Sequence, residues 1–330
     1  MPAVRVLRSP STDIFLNLAI EDRVFRTFSA DERILFLWSN EAAVVIGRYQ
    51  NPWIECRAAE IERDGVALAR RQSGGGTVWH DRGNLCFTFM SATPLMDRSA
   101  NIGLVVRALR GLGLDAREND RLDILVDGRK VSGSAFRESS LRSFHHGTLL
   151  VGADLRALER YLAPGGAAHR AKGVKSVRSP VANLADSLPG LTIGQVEEAL
   201  AAEAAVTWGS ATVEDLDAAA LAAQAETAAY RDLLASRAWR FGASPPFARR
   251  LEAGDAVLTL EIEGGAVREA WIEKGGFRHE GVAEAIRGMA YDERAIAAAL
   301  RALAPRIVIG EETDATIEPL AVALEEGRFS

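Results

Sequence analysis

Cysteine is scarce in this sequence, with only Cys56 and Cys86 among 330 residues. Two cysteines cannot build the disulfide framework of a small secreted domain, so that class of protein is excluded. They also fall short of the ligand patterns of structural zinc sites. We therefore expect free thiols in a reducing compartment, and the predicted location is cytoplasmic.

Long apolar runs and blocks of basic residues are absent as well. No stretch has the length that a membrane-spanning helix requires, and the first residues lack the apolar segment of a signal peptide. The net charge is −6, from 39 basic and 45 acidic residues, without a cluster of the kind that binds nucleic acids. We expect neither a membrane nor a nucleic acid as a partner.

What the chain does contain is the composition of a globular protein, with 48% hydrophobic and 25% charged residues. Its length allows two domains. A stretch rich in aromatic residues, glycine and proline at 239–246 marks the predicted boundary between a domain over 1–244 and a smaller one over 245–330. The patterning predicts an α+β fold class, with mixed sheets and packed helices in the first domain and a small α/β unit in the second.

Hydrophobic periodicity and turn residues predict the individual elements. Apolar residues at helical spacing predict a helix within 11–28, with Ser11, Thr12 or Asp13 as its N-terminal cap. Polar turns predict a hairpin between 77–80 and 85–90, and another hairpin that closes at Asp127-Gly128.

The most informative segment is 70–81, which reads Arg-Arg-Gln-Ser-Gly-Gly-Gly-Thr-Val-Trp-His-Asp. Three consecutive glycines let the backbone approach a ligand closely and turn its N–H groups toward an anion. The two arginines add positive charge and forked donors. The segment fits neither a P-loop nor a dinucleotide fingerprint. It suits a carboxylate or a phosphate, and the alternative is an ordinary flexible hairpin loop.

Lys130 is the second candidate, because it follows the Asp127-Gly128 turn and precedes Ser132-Gly133-Ser134. A lysine on a rigid strand beside a glycine can place its ammonium against a phosphate or carboxylate. There it would stabilise charge that develops on a leaving pyrophosphate or on a pentavalent phosphorus. The alternative interpretation is an exposed strand lysine.

Other residues carry less specific signals. Asp123 precedes an apolar strand and could hold Mg²⁺ through one carboxylate. Cys86 could act as a nucleophile only with a base at hand, and packing in the core is the simpler interpretation. For His145 a hydrogen-bonded structural role is the simpler interpretation. Trp38 could wall an apolar pocket, although ordinary core packing explains it equally well.

Taken together, these segments resemble the lipoate–protein ligase family over nearly the whole chain. Each motif is modest alone, but all of them occur in the order and at the spacing of the family. The resemblance rests on residues 11–21, 35–38, 44–53, 70–84, 127–135, 145–150 and 172–178.

The resemblance implies a biotin/lipoate ligase-like catalytic domain and a reaction in two steps. Lipoate and ATP, with Mg²⁺, would give lipoyl-AMP and pyrophosphate. The lipoyl group would then pass to a lysine of a lipoyl domain of a 2-oxoacid dehydrogenase E2 subunit or of the glycine cleavage H protein. The family also suggests a monomer without a tightly bound cofactor. Two alternatives remain open: an ATP-independent octanoyl or lipoyl transferase, some of which form a cysteine thioester, and a non-enzymatic lipoate carrier.

The resemblance also implies roles for individual residues. Lys130 would be catalytic and would contact both the lipoyl carbonyl and the α-phosphate, with Arg71 as a further counter-charge. The glycine run and the segment 167–183, which has no period, would act as lids. ATP and the adenylate would be bound by Arg71, Gly76, Thr77, Val78, Trp79, Lys130, Lys172 and Ser176. Lipoate would be bound by Trp38, Arg71, Ser73, Gly74, Gly75, His80 and Lys130.

Some positions depart from the pattern of the family. Gln72 stands where small residues are common, and Pro180 interrupts the segment 167–183, but neither changes the reaction class that the resemblance implies. Family members often have Asn-Asp before the hairpin, whereas Leu122 precedes Asp123 here and Asn119-Asp120 lies three residues earlier. The resemblance therefore implies Asp123 as the Mg²⁺ ligand only through its own carboxylate.

Overall fold

Helices and strands are both abundant in a computed structural model of the protein, which describes residues 3–162, 169–171, 180–306, 309 and 313–325. This mixture of several sheets with packed helices confirms the predicted α+β class. The described residues divide into two units. The first lies within 1–48, 58–162 and 176–236, and the second lies within 49–57, 163–175 and 237–330.

The strands in chain order are β1 (Ala3–Arg8), β2 (Glu32–Trp38), β3 (Ala43–Ile46), β4 (Ala67–Arg70), β5 (Val78–His80), β6 (Asn84–Ala92), β7 (Ala116–Glu118), β8 (Ile124–Val126), β9 (Arg129–Ser132), β10 (Ser134–Glu138), β11 (Arg142–Leu150), β12 (His169–Ala171), β13 (Ala211–Asp215), β14 (Phe247–Ala253), β15 (Ala256–Glu263), β16 (Ala266–Lys274) and β17 (Phe277–His279).

The α-helices are α1 (Ile14–Thr27), α2 (Pro52–Glu55), α3 (Ala58–Arg63), α4 (Arg98–Gly111), α5 (Leu155–Tyr161), α6 (Leu184–Ser187), α7 (Ile193–Trp208), α8 (Ala218–Ala222), α9 (Ala225–Ala235), α10 (Val282–Ile286), α11 (Glu293–Leu303) and α12 (Thr313–Glu325). None of the described helices is long and apolar enough to span a bilayer.

A six-stranded sheet in the order β10-β11-β6-β2-β1-β13 is the largest sheet of the first unit. Strand β1 pairs in parallel with β2 and β13, and the remaining pairs are antiparallel. Phenylalanine and leucine side chains of β2 and β6 pack against α4 and α7 in a continuous core. Burial of this apolar surface is the main force that fixes the sheet in place.

Two three-stranded sheets complete the first unit, in the orders β4-β3-β5 and β7-β8-β9. In the first of these, β3 pairs in parallel with β4 and antiparallel with β5. The glycine segment therefore connects two outer strands that flank β3. Both ends of the glycine segment are therefore fixed by hydrogen bonds to β3, through β4 before it and β5 after it.

Local sequence explains several element ends. The Asp13 side chain accepts hydrogen bonds from the first turn of α1, so Asp13 is the helix cap among the three predicted candidates. Asp127 and Gly128 have φ angles of 50° and 75°, as a type I′ turn requires, and β8 pairs with β9 across them. The hairpin predicted at this turn is confirmed.

The predicted hairpin between 77–80 and 85–90 is wrong. Strand β5 pairs with β3, whereas β6 pairs with β2 and β11 in the other sheet. Residues 81–84 had the composition of a hairpin turn, but the apolar faces of β6 are buried in the large core, and this burial decides its partners. Residues 169–171 of the predicted loop 167–183 form the short strand β12.

The second unit contains an antiparallel sheet in the order β12-β14-β15-β16-β17. Helices α10, α11 and α12 cover it and share an apolar core with β14, β15 and β16. Trp53 packs on Phe241, Phe247 and Tyr291 at ring-centroid distances of 5.2 to 5.3 Å. This unit therefore has its own hydrophobic core.

Candidate active site

The glycine segment lies directly against the end of β3. The Arg48 N–H donates to the Ser73 carbonyl at 2.8 Å. A Cβ atom on Gly47 would lie only 2.2 Å from the Gly75 oxygen, so glycine is required there for the close approach of the two backbones. Gly75 itself has a φ of +87°. These constraints fix the path of the segment.

Arg71 holds this segment from inside. Its Nε atom donates to Ser73 Oγ at 3.0 Å and to the Gly74 carbonyl at 3.1 Å. Its Nη2 atom donates to the carbonyls of Gly74 and Gly76, both at 2.7 Å, and its Nη1 atom donates to Val45 at 3.1 Å. In this conformation the guanidinium organises the loop backbone.

Burial explains why the Arg71 guanidinium needs so many acceptors. The residue is 5% exposed, and burial lowers the pKa of Arg71 to about 10, while Glu21 partly offsets this effect. The N–H groups of Gly74, Gly75 and Gly76 behave differently, because they have no acceptor among the residues that the structure describes. Three backbone donors beside a buried cation favour an anion or a developing oxyanion.

A chain of buried hydrogen bonds continues from Ser73 into the core. Ser73 Oγ lies 2.7 Å from His146 Nε2, and His146 Nδ1 lies 3.0 Å from Glu21 Oε1. Thr88 donates to the same carboxylate oxygen at 2.7 Å and accepts from Trp38 Nε1 at 3.3 Å. Five elements thus contribute one side chain each to a single network.

His80 belongs to a second buried group. The Asn40 amide lies 2.9 Å from His80 Nδ1, and Cys86 Sγ lies 3.6 Å from the same nitrogen. Burial lowers the pKa of His80 to about 3, with smaller contributions from Arg71 and His146. Burial likewise raises the pKa of the Cys86 thiol well above its usual value. Both groups are therefore uncharged at neutral pH.

Lys130 forms an ion pair with Asp123, with Nζ and Oδ1 separated by 2.7 Å. Lys130 is half-buried, and Asp123 is 7% exposed. The second oxygen of Asp123 faces Arg121 at 3.4 Å and the Asn119 amide at 3.4 Å. The carboxylate therefore orients the lysine side chain within the site.

The backbone of Lys130 is also fixed. Its N–H donates to the Pro180 carbonyl at 3.2 Å, and its own carbonyl accepts from the Ala182 N–H at 2.9 Å. Leu122, beside Asp123, has a φ of +60°, which asparagine tolerates better than leucine does. This strained position is one of those where the sequence departs from the family pattern.

Lys130 and the glycine loop approach the same stretch of chain, 133–135. A Cβ atom on Gly133 would lie 3.5 Å from Lys130 Nζ, and a Cβ atom on Gly75 would lie 3.3 Å from the Ala135 Cβ. Gly75 is at the same time next to the Arg71 guanidinium, because its Cβ would meet Nη2 at 2.8 Å. Lys130 thus lies beside Gly133, and the loop that Arg71 holds lies beside Ala135.

The residues predicted on the nucleotide side continue from the loop into β5. Thr77 and Trp79 are buried, and Val78 is half-buried. The Trp79 ring stacks on Tyr161 at 5.4 Å, and its Nε1 donates to Asp81 at 2.7 Å. Two further predicted residues, Lys172 and Ser176, lie outside the described residues.

Within the described part of the chain, no three His, Cys, Asp or Glu side chains are close enough together to share a metal ion. Asp123 can contribute one carboxylate, which is how proteins commonly hold Mg²⁺ when substrate phosphates supply the other ligands. The donor set therefore fits a magnesium ion that arrives with a nucleotide, but not a closed site made by protein alone.

Sequence reasoning did not select Glu21, Thr88 or Asn40 as site residues. Glu21 lies in α1 close to the buried Leu18 and Phe25 and is itself 5% exposed. A buried carboxylate must have partners, so an acidic residue among the apolar positions of this predicted helix was the signal that could have identified it. Thr88 and Asn40 offer no comparable signal.

Comparisons with known proteins agree with this geometry. The sequence profile of the lipoyl protein ligase A/B catalytic domain matches residues 13–205. A protein of Psychrobacter cryohalolentis named lipoate-protein ligase A is 43% identical over 279 residues, which cover 82% of this chain and 82% of that protein.

Solved structures share the fold. A crystal structure of P. falciparum LipL1 in complex with lipoate superposes with a TM-score of 0.65 and 25% identity, covering 95% of this chain and 97% of the other. A crystal structure of a lipoate-protein ligase A bound with ATP superposes with a TM-score of 0.60 and 24% identity, covering 73% and 99%.

Proposed function

This chain belongs to the lipoyl protein ligase A/B catalytic-domain family, and from this membership we propose that it is an ATP-dependent lipoate–protein ligase. The enzyme activates free lipoate to lipoyl-AMP and then transfers the lipoyl group to a lysine of an acceptor protein. The name of the 43% identical relative and the ATP bound to a protein of the same fold support this reaction.

The observation that carries the proposal is the approach of Lys130 and the Arg71-held glycine loop to residues 133–135. Bringing a carboxylate next to a triphosphate sets two anions together, which is costly without cations nearby. Lys130 supplies a directed ammonium, and the N–H groups of Gly74, Gly75 and Gly76, which have no acceptor among the described residues, supply neutral donors. The site thus offers both kinds of group that the reaction requires.

In the first step, a carboxylate oxygen of lipoate attacks the α-phosphorus of ATP and pyrophosphate leaves. The Lys130 ammonium stabilises the negative charge that develops on the phosphoryl oxygens. Asp123 keeps this ammonium on the side of Gly133, since its carboxylate holds Nζ at 2.7 Å. The fixed backbone of Lys130 reduces the freedom that must be lost in the transition state.

In the second step, the amine of the acceptor lysine attacks the lipoyl carbonyl and AMP leaves. The amine is itself the nucleophile, so this route requires no acyl-enzyme. The mixed anhydride must be kept from water. We propose that the glycine run and the segment 167–183 close over it, with Lys172 and Ser176 on the adenylate.

Trp38, Ser73 and His80 form the proposed lipoate side of the site, together with Gly74 and Gly75. Trp38 and His80 are buried and are uncharged at neutral pH, as an acyl chain requires. On the nucleotide side we propose Arg71, Lys130 and the backbone of residues 76–79. Arg71 contributes there chiefly by fixing the loop, because its donors already bind loop oxygens.

Magnesium is proposed as the ion that accompanies ATP, with Asp123 as its protein ligand. The ion would supply further positive charge against the β- and γ-phosphates. Because Oδ1 of Asp123 also binds Lys130, the same carboxylate would orient the catalytic amine and hold the metal.

A thioester-forming transferase is the main alternative, and Cys86 is the thiol that it would need. Cys86 is 2% exposed and burial raises its pKa, so it lacks the thiolate that reacts with acyl donors. The nearby His80 is a poor base, since burial lowers its pKa to about 3. These observations favour the ligase. The third candidate, a non-enzymatic lipoate carrier, would bind a single carboxylate. It would not need positive groups for two anions, as Arg71 and Lys130 would supply here.

We propose lipoyl domains of 2-oxoacid dehydrogenase E2 subunits and the glycine cleavage H protein as acceptors. Residues 1–244 would form the catalytic domain and 245–330 an accessory domain, in a monomeric enzyme. A cytoplasmic location is supported by the two buried cysteines, which are both free thiols.

One assay tests the proposed reaction. An apo lipoyl domain is incubated with the protein, lipoate, ATP and Mg²⁺, and its mass is measured together with pyrophosphate release. We expect one lipoyl group per acceptor and lipoate-dependent pyrophosphate release. Modification of the acceptor by an acyl-carrier donor without ATP, and none with ATP and lipoate, would establish the transferase instead.

A further inference from the structure

The loop between β7 and β8 is folded around a single side chain, that of Asn119. Its Oδ1 atom accepts hydrogen bonds from the N–H groups of Arg121 and Asp123 at 2.9 and 3.0 Å. The backbone of Asn119 adds two more, because its N–H donates to the Asp123 carbonyl at 3.1 Å and its carbonyl accepts from the Leu122 N–H at 2.9 Å. A short polar side chain that binds N–H groups a few residues ahead fixes a turn locally.

These bonds hold Leu122 in a conformation that a leucine disfavours. Leu122 has a φ of +60°, in the left-handed region where the Cβ atom crowds the backbone. Its N–H is bound by the Asn119 carbonyl, and its side chain packs on the core of the first unit. Because Leu122 directly precedes Asp123, the placement of Asp123 depends on the contacts that keep Leu122 in this conformation.

The orientation of the Asn119 amide follows from its partners. The two backbone N–H groups can only donate, so the amide atom that faces them is the oxygen. The amide nitrogen is thereby directed at the Asp123 carboxylate, with Nδ2 3.4 Å from Oδ2. Both lone pairs of Asn119 Oδ1 are engaged by the two N–H groups, so the side chain constrains Asp123 and is not itself a ligand for a cation.

Asp123 transmits this constraint to Lys130. Its Oδ1 atom lies 2.7 Å from Lys130 Nζ, while its N–H and its Oδ2 atom both contact Asn119. Asp123 is 7% exposed, so water competes little for these contacts. Arg121 faces the same Oδ2 atom at 3.4 Å from an exposed side chain, where solvent weakens the attraction. Asn119 is therefore the neighbour that can fix the plane of the carboxylate.

We propose that Asn119 is a positioning residue for the adenylation step. It acts through Asp123, because the amide fixes the Asp123 carboxylate and the carboxylate directs the Lys130 ammonium. Leu122 stands where family members often have the asparagine of an Asn-Asp pair, and the Asn119 side chain reaches the same aspartate from earlier in the chain. The inference deepens the proposed function and rests on it, since it requires that Lys130 acts in adenylation.

Lipoate-dependent exchange between ATP and pyrophosphate at saturating Mg²⁺ provides the kinetic test. Asn119→Ala should lower kcat by about 10- to 100-fold, the usual cost of removing a partner that orients an active-site carboxylate. KM for lipoate should stay nearly constant, because the proposed lipoate side of the site is unchanged. Asp120→Ala alters an exposed neighbour in the same loop and should change neither quantity.

A double-mutant cycle separates positioning from a general structural role. If Asn119 acts through Asp123, Asn119→Ala should cause no further loss of kcat in an Asp123→Ala background, since the group that it positions is already absent. The same fold-loss of kcat in both backgrounds would show that Asn119 acts independently of Asp123. That result, or an unchanged kcat in Asn119→Ala alone, overturns the proposal.

Hydrogen exchange of the Asp123 amide in the ligand-free protein tests the loop without any activity. The Asp123 N–H should be protected in the wild-type protein and should exchange faster in Asn119→Ala, because its acceptor is removed. Rapid exchange of this amide in the wild-type protein would also overturn the proposal.

Should Asn119→Ala fail to fold, Asn119→Asp is the second variant. It keeps an acceptor for both N–H groups but turns a negative charge toward Asp123, so it should retain the protection of the Asp123 amide and still lower kcat. Wild-type kcat in this variant would overturn the proposal. A wild-type protein without any lipoate-dependent exchange would overturn the proposed ligase function and this inference with it, whereas an active wild-type protein with an equally active Asn119→Ala variant removes the inference alone.

Discussion

The ammonium of Lys130 in β9 and the carboxylate of Asp123, the residue before β8, form a 2.7 Å ion pair. Sequence reasoning gave these residues separate tasks, one at the acyl phosphate and one at magnesium. Because the two side chains are in contact, the position of the Lys130 ammonium and the availability of the Asp123 carboxylate for magnesium depend on one another. A nucleotide that drew Lys130 toward its phosphates would free Oδ1 of Asp123.

Replacing Lys130 by alanine should lower lipoate-dependent exchange between ATP and pyrophosphate by roughly 100-fold or more, because one directed charge in the transition state is lost. The free energy of unfolding should change by only about 1 kcal/mol, since Lys130 is half-buried. Arg129→Ala is the matched control, because Arg129 is exposed on the same strand. Equal exchange rates in both variants would contradict the catalytic assignment.

Asp123→Asn should raise the Mg²⁺ concentration needed for half-maximal adenylation several-fold. The amide keeps the shape of the side chain but loses the charge that binds a cation. The exposed neighbour Asp120 provides the control, as Asp120→Asn should leave the magnesium titration unchanged. If only Asp120→Asn raised the Mg²⁺ concentration for half-maximal adenylation, the magnesium ligand would be assigned to Asn119-Asp120 instead of Asp123.

Arg71→Lys should destabilise the protein by about 2–4 kcal/mol and lower adenylation more than tenfold. An ammonium cannot replace the planar fork that bonds Val45, Gly74 and Gly76 together, and buried carbonyls would lose their donors. Urea unfolding measures the first effect. Arg82→Lys changes an exposed arginine and should alter neither quantity. Wild-type stability in Arg71→Lys would show that the loop does not depend on these bonds.

Trp38→Val should enlarge the proposed acyl pocket. Trp38 is 2% exposed and contacts His80 edge-on at a ring-centroid distance of 6.0 Å, so its removal should cost about 3 kcal/mol and leave a cavity. We expect transfer of a lipoate analogue with a bulkier ring, measured by mass change of the acceptor domain. Trp208→Val, a change outside the proposed pocket, should give no such gain. If both variants reject the analogue, Trp38 does not line the acyl site.

Stability should fall as the pH is lowered from about 6.5 toward 3. Burial lowers the pKa values of His80 and His145 to about 3 from the usual 6.5. In this window the unfolded chain binds protons that the folded protein rejects, so each histidine can add a slope of up to about 1.4 kcal/mol per pH unit. The free energy of unfolding in urea at pH 7.5 and pH 5 measures the effect. A His145→Asn variant should depend less steeply on pH, and an unchanged slope would refute the assignment.

The local signals that the structure confirmed are those in which one short segment contains all the information. Asp13 caps α1 because its side chain reaches N–H groups two and three residues ahead. Asp127-Gly128 closes a hairpin because both residues tolerate positive φ. The glycine run was recognisable because a long series of residues without Cβ is unusual within a strand connection.

The pairing of β5 with β3 could not be obtained in this way. The turn residues at 81–84 suit a hairpin, and nothing local distinguishes the two outcomes. Burial of Phe87 and Phe89 in the core of the six-stranded sheet decided the partners of β6. That burial depends on residues more than a hundred positions away.

The sequence by itself determined which chemical groups are available: three consecutive glycines, a pair of arginines and a lysine after a tight turn. It also showed that these groups occur in the order of a known family. Only the tertiary structure decided their directions. Arg71 turns inward to its own loop, and Glu21 and His146 meet across 125 positions of sequence. The physical reason is that buried charged and polar groups must find partners, and those partners exist only where the folded chain brings distant segments together.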